Sequence, residues 1–186
     1  EPPNPGRLIN LSVRTTAGTG AQTLTIGFVS AGANKPVLLR GIGPSLTQFG
    51  VTGVLADPKL TLFAGAATFF ATNDNWGGNA TLRQAMTATG AFTLADASLD
   101  AALVQTLSAG NYTAQVAGAD NTTGIALAEV YDTEPNAASA IVGRLINISA
   151  RAQVGTGGSI LIAGFTISGN LPKTLLIRGI GPTLTA

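Results

Sequence analysis

The sequence predicts an all-β protein: a β-sandwich or jelly-roll-like repeat unit followed by part of a second one. Three observations predict it. Apolar and polar residues alternate with a period of two along many short runs, as strands with one buried face require. Glycine, 24 of 186 residues, punctuates those runs well above the roughly 7% of average proteins and marks turns. The chain also repeats itself: GRLINLSVR from Gly6 returns as GRLINISAR from Gly143, and RGIGPSLT from Arg40 returns as RGIGPTLT from Arg178. Arg7 to Arg144 is an offset of 137 and Arg40 to Arg178 one of 138, so one residue is inserted between the two motifs. Two long matches in one order define a complete unit over 1–136 and the first third of a second over 137–186, whose strands correspond to 6–48. EPPNPGR and EPNAASAIVGR precede the two copies and read as linkers, with the joint at 134–138.

Within the first copy, Ile9, Leu11 and Val13 fall on one face of a strand and Asn10, Ser12 and Arg14 on the other. AGTGAQ follows, and its glycines suit a tight hairpin to a second strand in which Leu24, Ile26 and Phe28 share a face. A third run, Val37 to Leu39, leads through Arg40 into a Gly-Ile-Gly-Pro turn. The remaining two-thirds predicts further strands at Leu60–Leu62, Thr68–Thr72 and Ile125–Tyr131, and a hairpin of 103–107 with 111–116. A short helix is expected near 82–87, capped by Asn79 or Thr81.

Composition narrows the function classes. The chain has no histidine and no cysteine, which removes the usual general base, Ser-His-Asp catalysis and the common zinc sites. Charged residues are only 10%, against about 25% in average domains, and mean hydropathy is +0.35; some apolar surface is therefore expected to be buried against other chains. An apolar fraction of 45% argues against disorder. No apolar run approaches the ~18 residues of a membrane span, and a secreted chain would stand here in mature form. Net charge is +3 over 1–50, −6 over 51–140 and +4 over 141–186. Such complementary thirds favour a fixed head-to-tail register, while the small total and the lack of a basic run give no nucleic-acid footprint.

Candidate chemistry is weak throughout. Gly41-Ile42-Gly43-Pro44-Ser45 lacks the Gly-Lys of a phosphate loop and the G-x-S-x-G of a nucleophile elbow, and reads as a structural turn. Asp96 and Asp100 have no arrangement that implies a catalytic acid pair. Trp76, Phe69 and Phe70 read as core rather than a sugar platform. Asn73, Asp74 and Asn75 lack the alternating acids of a calcium loop and read as an Asx turn. Asn10, Asn79, Asn111, Asn121 and Asn147 lie in Asn-x-Ser/Thr sequons that permit glycosylation. No catalytic, metal-ligating or cofactor-binding residue is assigned, and no cofactor is expected.

DPKLTLFAG at Asp57, ATNDNW at Ala71, TLSAGNYTAQVAG at Thr106 and GIALAEVYD at Gly124 resemble pre-peptidase C-terminal domains. With GRLINLSVR and LLRGIGPSL, the whole unit is similar to tandem β-sandwich repeats of large secreted proteins from Verrucomicrobia-like bacteria. The resemblance implies a non-catalytic appendage or an adhesin-like array. The expectation is therefore a structural, non-enzymatic module, extracellular or at the cell surface. Its copies would assemble head to tail into a surface layer, adhesin array or filament by strand addition or sheet packing. Its partners would be itself and surface glycans. The alternative is a carbohydrate- or matrix-binding accessory module of a secreted hydrolase.

Overall fold

The computed structural model describes residues 4–65, 67–134 and 143–185. Ten strands follow one another in chain order: β1 (Arg7–Ala17), β2 (Leu24–Ala31), β3 (Lys35–Ile42), β4 (Pro58–Ala64), β5 (Thr68–Asn73), β6 (Ala101–Leu107), β7 (Gly110–Gly118), β8 (Gly124–Asp132), β9 (Arg144–Arg151) and β10 (Ile162–Ser168). One helix, α1 (Ala80–Thr89), interrupts them. The linker expected at 134–138 and the boundary between copies lie, beyond Glu134, outside the described residues.

The strands form one antiparallel sheet in the order β5-β4-β7-β2-β9-β1-β8-β3-β6, with β10 also paired to β1. The all-β class holds. The step from β9 to β1 rests on the single pair Leu8–Leu145, so the sheet has two limbs. One is β5-β4-β7-β2-β9; the other is β10-β1-β8-β3-β6. Alternation buries one side of each limb in a common core: Leu11 and Val13 of β1, Leu24, Ile26 and Phe28 of β2, Leu60 and Leu62 of β4, Val116 of β7 and Val130 of β8. The alternating faces of β1 and β2 are those predicted, except that the ladder slips between Leu8 and Asn10.

The two predicted hairpins do not form. β1 pairs with β8 and β10 while β2 pairs with β7 and β9; β6 pairs with β3 while β7 pairs with β2 and β4. The glycines of AGTGAQ instead build a short 3₁₀ turn at Gly20–Gln22, Gly20 taking φ +58° and the Gly18 N–H donating to the Gln22 carbonyl at 3.0 Å. This turn carries the chain across the core from one limb to the other. At the second site the Tyr112 hydroxyl donates to the Ser108 carbonyl at 3.1 Å, pinning the crossing from β6 into β7 as tyrosine corners do in Greek-key proteins. Of the consecutive strands, β4 and β5 do pair directly.

Outside the limb that holds β3, a second apolar cluster joins Leu38 and Ile42 of β3 to Trp76, Leu82, Met86 and Leu94. Here α1 lies over the sheet. Asn79 caps it, its side chain accepting the Leu82 N–H at 3.1 Å, and Gly90 ends it in the left-handed conformation at φ 70°. Covered on one side by the other limb and on the other by α1, β3 is buried on both faces.

Candidate assembly interface

The Gly-Ile-Gly-Pro-Ser motif, read from the sequence as a structural turn, folds around a buried acid of the chain itself. The Gly43 N–H donates to Asp100 Oδ1 at 2.7 Å, and the hydroxyls of Ser45 and Ser98 donate to Asp100 Oδ2. Asp100 is fully buried, so the Gly-Ile-Gly-Pro-Ser turn already encloses an anion belonging to the chain itself. It folds around that carboxylate and leaves no cradle for a phosphate. Asp96 is instead exposed, in an ion pair with Arg83 at 2.8 Å; the two acids serve unrelated contacts.

Trp76 is buried, and its indole N–H donates to the Ala95 carbonyl at 2.9 Å, whereas Phe69 and Phe70 are exposed on β5. The core reading holds for Trp76 alone. Asn73 donates its amide to the Asn75 carbonyl at 2.9 Å and accepts the Ala102 N–H at 2.9 Å, so its oxygen ties β5 to β6 and does not close an Asx turn. Among the described residues, no group of His, Cys, Asp and Glu is arranged to hold a metal ion. Of the sequon asparagines, Asn10 is buried with its amide donating to the Val130 carbonyl at 3.3 Å; the other four are exposed.

Buried charge is likewise internal. Arg40 and Glu129, on neighbouring strands, form a buried ion pair. The Arg40 Nη1 also donates to the Phe92 carbonyl at 2.7 Å, and its guanidinium lies 4.3 Å from the Phe92 ring centroid. Tyr131 and Ser12 donate to the other Glu129 oxygen at 2.7 and 3.0 Å. Burial, and next the Glu129 charge, push the Tyr131 hydroxyl well above its ordinary range, so it remains a donor. Lys35 is buried against Asp132 at 2.5 Å. Asp100, Glu129 and Asp132, three of the acids expected to receive cations of the next copy, are thus engaged inside the first copy.

What the structure does assemble lies at two strand edges. In the first copy, β1 has one strand neighbour of its own, β8, and β2 has one, β7. An edge strand presents unpaired N–H and C=O groups that recruit another strand. The second copy supplies both: β9, equivalent to β1, pairs with β2, and β10, equivalent to β2, pairs with β1. The Ser149 hydroxyl donates to the Gly27 carbonyl at 3.2 Å. The Asn4 N–H donates to Asn170 Oδ1 at 2.7 Å, and the Asn170 N–H returns to the Asn4 carbonyl at 3.0 Å. Leu145 is buried in the first copy's core, with Ile148, Ala150, Ala152 and Leu161 partly covered around it.

Ile160-Leu-Ile-Ala-Gly-Phe165 is apolar on both faces, a pattern that predicts a strand covered on both sides, with residues 141–186 buried against a full unit. The edges are indeed paired, but the faces are open: Ile160, Ile162 and Phe165 are 44%, 43% and 43% exposed. Phe28, the counterpart of Phe165, is by contrast buried in a core shared with residues of β4 and β7.

Two cavities lie nearby. One, about 310 Å³, is apolar and opens between β1, β8 and β10, with Leu46, Phe49 and Leu127 in its wall. The other, about 450 Å³, is lined by Ser45, Gln48, Thr93 and Ser98 beside the Asp100 turn and carries no aromatic ring. No helix among the described residues is long and apolar enough to cross a membrane. No family model matches the chain, and neither a curated protein nor a solved structure does.

Proposed function

We propose that this chain is a non-catalytic structural repeat module of an extracellular surface layer, adhesin array or filament, its copies following one another head to tail and joined by strand addition. One observation carries the reading: the β1 and β2 edges of the complete copy are both occupied by strands of the next copy. Backbone ladders of this kind give affinity without a chemical site. The buried polar groups support it indirectly, since the ion pairs and the Asp100 turn serve the framework. The apolar face left open on the second copy offers further contact surface to other copies. Electron microscopy of the purified chain at rising concentration, with sedimentation velocity, tests it. Ordered layers or fibres are expected; a chain that stays dispersed at every concentration would end this reading.

A second reading, a carbohydrate- or matrix-binding accessory module, draws on Phe69 and Phe70, which stand 62% and 42% exposed on β5. Aromatic faces on an open strand can stack on sugar rings. Saturable binding on a glycan array, lost in Phe69→Ala with Phe70→Ala, would favour it.

A further inference from the structure

The geometry points to a self-complementary joint: we propose that the β1–β2 edge of one copy recognises the same edge of another copy about a two-fold axis, so that this joint closes on two copies. The inference rests on the strand-addition reading above, names its partner and symmetry, and replaces head-to-tail continuation at this joint by a closed pair.

The ladders between copies are reciprocal. Leu11 lies opposite Phe165, the counterpart of Phe28, and Phe28 lies opposite Ile148, the counterpart of Leu11. Ser12 faces Gly164 while Gly27 faces Ser149, and Arg14 faces Ile162 while Thr25 faces Arg151. Shifting by 137 residues carries all seven pairs of one ladder onto the seven of the other, together with the bulge, which falls at Ile9 in the first copy and at Ile146 in the second. The one pair between β1 and β9 joins Leu8 to Leu145, a residue to its own counterpart, as a pair on the axis must be.

The glycine that opens each copy obeys the same rule. A Cβ on Gly6 would stand 2.8 Å from the Leu171 carbonyl oxygen and 2.9 Å from the Lys173 Cβ. One on Gly143 would stand 2.3 Å from the Ala33 oxygen and 2.8 Å from the Lys35 Cβ. Each copy's first glycine is thus seated on the other copy's β2–β3 turn. Neither has a positive φ, so it is this close approach that calls for glycine.

A head-to-tail contact places patch A on patch B and leaves one of each free, whereas an isologous contact uses the same patch twice and is then full. In this chain the joint is closed within one polypeptide, where the linker keeps the local concentration high. Extension beyond two copies therefore has to use other surface, and residues 160–184 carry most of the exposed large apolar side chains among the described residues.

The chain has no cysteine, so introduced thiols report the joint cleanly. In the complete chain, Gly27→Cys with Ser149→Cys, and separately Ser12→Cys with Gly164→Cys, should each oxidise to a disulfide within one chain. The crossed set Ser12→Cys with Ser149→Cys should not. Linkage between chains, or linkage of one set alone, would overturn the reciprocal joint.

A second arm uses residues 1–134. All the buried apolar residues except Leu145 come from 11–130, so this unit holds its own core. Its β1 and β2 edges are then open, and through them it should form dimers and nothing larger. Ser12→Cys with Gly27→Cys should lock that dimer by two disulfides. Gly6→Val should weaken it by about tenfold or more, since the added methyls meet only the partner. A unit that is folded but monomeric at every concentration, or that polymerises without limit, would overturn the proposal. If the unit does not fold, the crosslinks in the complete chain decide. Layers or fibres of the complete chain without reciprocal crosslinks would sink the joint and leave the structural reading standing; crosslinks without any higher assembly would do the reverse.

Discussion

Phe28 and Phe165 hold the same place in two copies of one sequence, yet the first is 2% exposed and the second 43%. Leu38 is fully buried and its counterpart Leu176 is 86% exposed; Leu46 and Leu184 differ in the same sense. Around Leu38 and Leu46 the local sequence is almost unchanged, while in β2 only Leu24, Gly27 and Phe28 recur; the β1 and β2 counterparts are strands in both copies, and the β3 counterpart at 173–180 is not. What differs is what lies over them. Residues 49–134 supply β7 beside β2 with β4 beyond it, β6 and β8 beside β3, and α1 over the outside. The recurring third is therefore a pair of edges and a turn, competent to pair but not to bury itself. The middle two-thirds turns it into a folded unit.

The largest effects should separate the two copies most clearly. Phe28→Ala should cost about 3–5 kcal/mol, the range for emptying an aromatic site in a packed core. Phe165→Ala, at the matching place but open on its face, should cost less than about 1 kcal/mol. Urea denaturation of both variants measures the gap. Equal losses would mean that the second copy is as well covered as the first, and the comparison would fail.

Arg40 and Arg178 make the same contrast with charge. Arg40→Met leaves Glu129 buried without its partner and should destabilise by about 3–5 kcal/mol. Arg178 is exposed, and Arg178→Met should shift the unfolding midpoint within error. Restoring an apolar match with Arg40→Met and Glu129→Leu together should recover much of the loss.

Strand identity was legible in the sequence because alternation is local: β2, β3, β4 and β8 stand where their apolar periods put them, and Asn79 caps the helix foreseen for it. Strand partners were not legible. AGTGAQ and Ser108-Ala109-Gly110 carry the composition of hairpin turns, but a turn that crosses between limbs uses the same glycines. The choice is made by the distant strands that claim each edge. The apolar strand at 160–165 illustrates a second limit. Apolar residues on both faces say that cover is wanted, and they do not say whether the cover is present. Asp100 shows a third: nothing near it in sequence says that its carboxylate will accept the N–H of Gly43. The reciprocal ladder could have been suspected from the repeat alone only if β1 and β2 were known to be edges.

A smaller effect tests whether α1 is part of the cover. Asn79→Ala removes the only side-chain acceptor seen at its first turn and should cost about 1 kcal/mol. If the helix merely decorates the surface, protection of amides in β3 against hydrogen exchange will not change; if it covers β3, protection there should fall along with that in α1.

The smallest expected effect concerns acid residues that the second copy lacks altogether, since residues 143–185 contain none. In the first copy, burial and then the charges of Asp74 and Asp120 hold the Asp57 carboxyl above the ordinary carboxylate range. One of its oxygens is buried with no hydrogen-bond partner. A carboxyl whose pKa is raised by folding binds protons more readily in the native state. Its unfavourable contribution is therefore absent below the unfolded pKa and complete once pH exceeds the folded one. Asp57→Asn should accordingly raise the melting midpoint slightly at neutral pH, and the advantage should vanish as pH falls below the ordinary carboxylate range. Asp74→Asn and Asp120→Asn should each recover part of it, Asp74→Asn the more. Millimolar calcium should leave the wild-type midpoint where it is, because the three acids interact by repulsion without forming a ligand cage. If calcium instead reproduced the effect of Asp57→Asn, and a chelator reversed it, the acids would be a cation site and this end of the complete copy would differ from the second in chemistry as well as in burial.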